Sequence, residues 1–208
     1  MHQTTSRMLP VPCVIVLTLV FDVMLPQQGH AQGRTPPRVP GDIQVEAGNK
    51  VFLAGHAIGT QNYICLPSAA GFAWTLVGPQ ATLFNEGFHQ VMTHFLSPNP
   101  DEVGTARATW HDSVDSSAVW ARAFASSVDP AFVAPGAIPW LLLERVGAQE
   151  GPKGAGKLTP TTFIHRLNTL GGMAPSTGCS VSTDVGRRAF VPYEADYFFY
   201  RARHGTDD

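Results

Sequence analysis

Thr162-Phe163-Ile164-His165-Arg166-Leu167-Asn168-Thr169-Leu170-Gly171-Gly172 is a strand-like run that ends on a glycine pair. Beyond Ala174-Pro175 and Gly178-Cys179, the chain closes on Val191-Pro192-Tyr193-Glu194-Ala195-Asp196-Tyr197-Phe198-Phe199-Tyr200, an aromatic run of the same kind. Glycine adopts positive φ without steric cost, so Gly171-Gly172 predicts a turn after the first run. Strand, turn, cysteine and aromatic strand follow one another without room for a helix.

The same punctuation holds upstream. Candidate strands are Lys50–Ala54, Thr60–Leu66, Phe72–Val77, Ala81–Phe84, Phe88–Phe95, Ala106–His111, Ala118–Ala125, Trp140–Val146, Thr161–Leu167 and Phe190–Tyr200. In Val119–Phe124, Trp120, Arg122 and Phe124 take one face and small residues the other. Ile138-Pro139-Trp140-Leu141-Leu142-Leu143 is apolar throughout, as a strand buried on both faces would be, which makes Trp140 a core residue. Asn85-Glu86-Gly87 fits a hairpin turn. The chain carries 20 Gly and 17 Pro, too many breaks for long helices. These features predict an all-β, single-domain antiparallel sandwich or barrel of about ten short strands.

At the N-terminus, Arg7, an apolar stretch from Val11 to Leu25 and Gly29-His30-Ala31 read as a secretory signal peptide over residues 1–31. Asp22 and Pro26-Gln27-Gln28 argue against a stable membrane span. Residues 32–42 read as a flexible linker, 43–203 as the folded domain and 204–208 as a tail. The expected location is secreted or periplasmic. Cys13 leaves with the signal, and Cys65 and Cys179 remain. Two cysteines in an oxidising compartment predict one disulfide. A loop of that length is assigned on the order of 4–5 kcal/mol by the chain-entropy model. The formal net charge is -2 and no basic cluster occurs, so nucleic acid is excluded as a partner.

Several motifs in one order carry a resemblance. They are Gly59-Thr60-Gln61-Asn62-Tyr63-Ile64-Cys65, then Trp74, then Gly78-Pro79-Gln80-Ala81-Thr82-Leu83. His94-Phe95, Thr109-Trp110, Ile138–Leu143 and the C-terminal runs follow. Together they resemble a bacterial and fungal family of secreted proteins catalogued as domain of unknown function 3455. The resemblance implies a fold neighbourhood and no activity. A malate dehydrogenase label used for some fungal members finds no support here. Two positions depart from the family pattern. Asp115-Ser116-Ser117 stands where Asp-Gly-Ser is frequent, and His165 stands where Gln is usual.

Gly151-Pro152-Lys153-Gly154-Ala155-Gly156-Lys157-Leu158 comes close to a phosphate-binding loop. Leu158 occupies the Ser/Thr position that would reach magnesium, and a β-like run follows instead of a helix, so a solvated hairpin loop is expected and no nucleotide. His89 and His94 are five apart and fall on opposite faces of a regular strand. His94 with His111 or Asp112 is the better metal pairing, with Asp115 as an added oxygen ligand. Glu194 and Asp196 share a strand face, most simply a solvated one. No Gly-x-Ser-x-Gly elbow occurs. Trp110, between Thr109 and His111, is the aromatic expected to be partly exposed, with His94, Asp115, Arg166 and Asn168 as polar neighbours of a ligand.

The function expected from the sequence is non-catalytic binding of a small molecule or glycan at the cell envelope or exterior, without a cofactor. Two alternatives stand beside it. One is a metal-dependent or acid/base hydrolase using His94, His111 and Asp115. The other is a structural surface protein.

Overall fold

A computed structural model describes residues 35–154 and 156–203. The expected signal segment, the first residues of the linker and the tail 204–208 lie outside the described residues. The described chain forms eight strands: β1 (Asn49–Ser68), β2 (Gly71–Phe84), β3 (Gln90–Asn99), β4 (Thr105–Asp112), β5 (Ala118–Ser127), β6 (Trp140–Gln149), β7 (Thr161–Gly171) and β8 (Arg188–Ala202). Single helical turns lie at Gly41–Ile43, Pro100–Glu102 and Ser182–Asp184. Each strand pairs antiparallel with the next, and β8 pairs with β1, which closes a barrel. Closure leaves no sheet edge exposed along the full ring.

Ten candidate strands become eight because the first four merge in pairs. Gly59 and Gly78-Pro79 read as breaks in the sequence, yet they lie inside β1 and β2. A Cβ on Gly59 would stand 2.5 Å from Ala81 Cα and collide with the Gln80 carbonyl. Glycine there lets two long strands approach and bend together. Gly78 has φ +149 and lies at the register shift of the β1–β2 pair. Pro79 follows it, just beyond Gln80↔Phe95, the end pair of the β2–β3 ladder. A residue without an N–H belongs where pairing stops. At the other expected turn, Gly171 and Gly172 have φ of 63 and 81.

Inward positions alternate along each strand. Ala57, Leu83, Met92, Trp110, Val119, Ala121, Leu143, Ile164, Tyr193, Tyr197 and Phe199 fill the barrel. In β5 the small face, Ala121 and Ala123, turns inward. Trp120 turns outward and donates its indole N–H to Ser97 Oγ.

A second cluster lies outside the barrel wall. Trp140, Leu142, Leu167, Phe198 and Tyr200 pack there against Ile43 and Val133. This accounts for the uninterrupted apolar run of β6, which is covered on both faces. The expected linker is not slack at its end: Val39 packs against this cluster and Pro40 is buried. His165 secures the segment, donating Nε2–H to the Ile43 carbonyl at 2.7 Å and accepting from the Tyr200 hydroxyl at Nδ1, 3.0 Å away.

Cys65 and Cys179 form the expected disulfide, with Cα atoms 5.4 Å apart. It ties the segment between β7 and β8 to β1. Backbone bonds from Cys65 N–H to Arg187 O and from Gly186 N–H to Cys65 O flank it.

The loop between β6 and β7 is a hairpin connection with Pro152, Lys153 and Gly154 exposed, as read from the sequence, but its second half turns into the barrel. Leu158, the residue that spoils the phosphate motif, is fully buried in the barrel core. Its N–H donates to Ser117 Oγ, and the Lys157 N–H donates to Asp115 Oδ2. Lys157 Nζ lies 3.1 Å from the buried Asp112 carboxylate. The loop therefore stoppers one end of the barrel.

Candidate functional site

The opposite half of the barrel holds a cavity of about 250 Å³. Small residues make the room: Ala106 and Ala108 from β4, Ala121 and Ala123 from β5. Leu76, Leu96, Leu141 and Leu143 supply apolar wall. Seven polar residues line it: Arg107 and Arg122, each paired with a carboxylate, and Gln61, His94, Trp110, Arg166 and Tyr197 from five strands.

Register explains their convergence. His94 pairs directly with Trp110 across β3–β4, and Arg166 with Tyr197 across β7–β8. Directly paired residues share a sheet face, here the inner one. Gln61 lies two positions beyond Gly59 and four beyond Ala57, in the inward phase of β1.

The His94 ring stacks on Trp110, with centroids 4.2 Å apart and planes 9° from parallel. Tyr197 meets both rings edge-on. His94 Nδ1 lies 2.9 Å from the Thr109 carbonyl, which can only accept, so the proton is on Nδ1 and Nε2 keeps its lone pair. Burial pushes the His94 pKa down to about 3, against a smaller opposing effect of the Thr109 bond. The ring is neutral at physiological pH. Burial also raises the Tyr197 hydroxyl, partly offset by the nearby Arg166 guanidinium.

Three donors on this cavity are buried without a hydrogen-bond partner: Gln61 Nε2, Trp110 Nε1 and Arg166 Nε. An unmet buried donor costs about 1–3 kcal/mol, so three around one cavity need a reason. Arg166 donates from Nη2 to the Pro139 carbonyl at 2.9 Å and its guanidinium also meets the Tyr197 hydroxyl, which leaves Nε unmet. Among the described residues no carboxylate lies within ion-pair distance of it. The acids near the cavity rim are committed elsewhere, Glu102 to Arg107 and Glu144 to Arg122.

Three of the five expected ligand neighbours, His94, Trp110 and Arg166, come together here. Trp110 is not partly exposed as expected; it is fully buried, because it faces into the barrel. Asp115 lies in the β4–β5 turn, where its carboxylate accepts from the N–H groups of Ser117 and Lys157. Asn168 lies at a register shift of β7 with φ 50 and donates to Asp196 Oδ2 on the outer face. Both serve the backbone rather than the cavity.

No metal site was expected, and the candidate pairing of His94 with His111 or Asp112 does not assemble. His111 is the next residue after Trp110 and pairs with Thr93, so it faces outward while His94 faces inward. Asp112 is inward but is engaged by Lys157 and by the N–H groups of Val114 and Asp115. Among the described residues no group of three His, Cys, Asp or Glu side chains is placed to hold a metal ion. Of the residues named for the hydrolase alternative, His94 faces the lumen, His111 faces outward and Asp115 lies in the β4–β5 turn.

Glu194 and Asp196 share the outer face, as their spacing predicts, but not as a merely solvated pair. His56 lies with them, Nδ1 2.8 Å from Asp196 Oδ1 and Nε2 3.5 Å from Glu194 Oε2.

Gln61 and Tyr197 were not among the expected site residues. The available signal was phase. A polar residue in step with Ala57 and Gly59, and a tyrosine in step with Tyr193 and Phe199, mark inward polar positions, but only once the inner face is known.

No helix of the described residues is long and apolar enough to cross a membrane. No curated protein and no solved structure matches the chain. A family model described as protein of unknown function (DUF3455) matches residues 46–201, which spans all strands but the last residue of β8 and every residue of the cavity lining. The chain belongs to that family of proteins of unknown function, DUF3455.

Proposed function

We propose that this protein is a non-catalytic binding protein of the cell exterior or periplasm that holds a small molecule inside its barrel. The observation that carries the reading is the convergence of three unpartnered buried donors, Gln61 Nε2, Trp110 Nε1 and Arg166 Nε, on one apolar-walled cavity. Apolar walls with a few convergent polar groups are the general form of a small-molecule site. An eight-stranded barrel is just wide enough to be filled by side chains or to hold one small ligand.

Binding is favoured over turnover by the chemistry of His94. With a pKa near 3 it holds a proton too weakly to act as an effective base at neutral pH. A glycan is disfavoured as the ligand, because the tryptophan expected to stack on a sugar is enclosed. Export is supported by the signal-like N-terminus and by the Cys65–Cys179 bond, which belongs to an oxidising compartment. Charged groups on the outer face, His56 with Glu194 and Asp196 and Arg122 with Glu144, suit water better than lipid.

The test fills the cavity. Ala121→Leu adds volume to the lumen without touching the outer face. Small molecules that raise the melting temperature of the natural protein are expected to lose that effect in the variant. A ligand whose effect survives unchanged puts the site elsewhere and ends this reading.

A further inference from the structure

Resting on the interior-binding reading, we infer that the ligand is a small monocarboxylate with a compact apolar or aromatic body, its carboxylate held by Arg166, Gln61 and Trp110. The argument starts from charge. Arg166 carries a permanent cation into the barrel wall, and no carboxylate among the described residues pairs with it. Its field reaches the cavity groups, acting on His94, Tyr193 and Tyr197. A cation with an unmet donor in a low-dielectric site favours an anion over a neutral ligand.

The hydrogen-bonding inventory agrees. The three unmet groups are all donors: a guanidinium N–H, an amide N–H and an indole N–H. Gln61 is 3% exposed and Trp110 fully buried, so neither donor can turn to bulk water. A carboxylate offers acceptor oxygens to all three donors. An amide or alcohol of the same shape brings a donor of its own and lacks the charge. Arg107 and Arg122 also line the cavity, but each is paired with a carboxylate, Glu102 and Glu144, so the more highly charged phosphate would meet a single unpaired guanidinium.

The rest of the cavity sets the body. Leu76, Leu96, Leu141 and Leu143 line it with alanine, so the remainder of the ligand is apolar. At about 250 Å³ the space lies below the ~300–1,000 Å³ of drug-sized pockets. A single ring or a short branched chain fits that bound, and a long acyl chain does not.

Benzoate and benzamide are the probes, since they share a shape and differ in charge. Binding is followed by the indole N–H resonance of Trp110 in the folded, disulfide-bonded protein, assigned by its loss in Trp110→Phe. Benzoate is expected to move that resonance and to bind at least ten-fold more tightly than benzamide. Arg166→Gln is expected to erase the preference while benzamide still binds. Equal binding of the two probes by the natural protein overturns the carboxylate inference and leaves interior binding standing. If neither probe moves the Trp110 resonance, both readings fall. These comparisons use the natural protein, so they stand even where Arg166→Gln does not fold.

Discussion

The rings of His94 and Trp110 lie face to face across the β3–β4 pair, 4.2 Å apart, on the wall of the barrel's cavity. Burial and the like charge of the nearby Arg166 both favour the neutral ring of His94 over the protonated one. The unfolded chain takes up this proton near the ordinary histidine pKa of about 6.5, whereas the folded protein does not until about pH 3. The folded pKa is depressed, so the unfolded state binds more protons between those values, and stability falls as pH drops through that window. Burial lowers His165 in the same direction. Denaturant unfolding between pH 7 and pH 4 should show a loss of up to about 1.4 kcal/mol per pH unit from His94. His94→Phe, which keeps the ring, should flatten that slope. An unchanged slope in the variant would remove His94 as its source.

His56 has the opposite sign. Its bond to Asp196 raises its pKa, and Glu194 adds to the effect, against a lowering by burial. Stability from this charged pair is complete below about pH 6.5, the unfolded value, and is lost as pH rises through the raised folded value. Thermal unfolding across pH 6.5 to 9 should show a decline that His56→Gln abolishes. A histidine carbon resonance titrating below 6.5 at His56 would contradict this account.

Ser116 has φ 62, the left-handed region that glycine occupies without strain. It stands in the turn between β4 and β5. Its side chain is exposed. Ser116→Gly should therefore stabilise the protein by about 1 kcal/mol, read as a rise of about 2–4 °C in melting temperature for a domain of this size. A fall in melting temperature would show that the serine makes a compensating interaction.

Leu158 closes the end of the barrel away from the cavity, and its side chain is fully buried. Truncation removes a core side chain that the fixed strands around it cannot follow. Leu158→Ala should cost about 2–5 kcal/mol in unfolding free energy. The indole resonance of Trp110 should stay in place, because the loop end and the cavity are separate. Movement of that resonance on truncation would show that the two ends of the barrel are coupled.

Strand content was legible residue by residue. Alternation in β5, the double-sided apolar run of β6 and the glycine pair after β7 each follow from side-chain period and backbone sterics. The number of strands was less legible, because glycine gives the same local signal at a turn and at a close approach inside a strand. Gly59 and Gly78 are of the second kind, and only the neighbouring strand distinguishes them. The candidate site divided in the same way. His94, Trp110 and Arg166 were visible as chemistry-bearing residues, but their common cavity depends on the registers His94↔Trp110 and Arg166↔Tyr197.

What the sequence determined by itself is local or compositional: strand character, the glycine turn after β7, and the pairing of Cys65 with Cys179. Tertiary structure alone decided the inside and the outside. Once the sheet closes into a ring, one of two alternating faces becomes the lumen, and a side chain's phase fixes its fate. That is why Trp110 is enclosed, why His111 beside it faces away, and why Leu158 became a stopper rather than part of a loop in solvent.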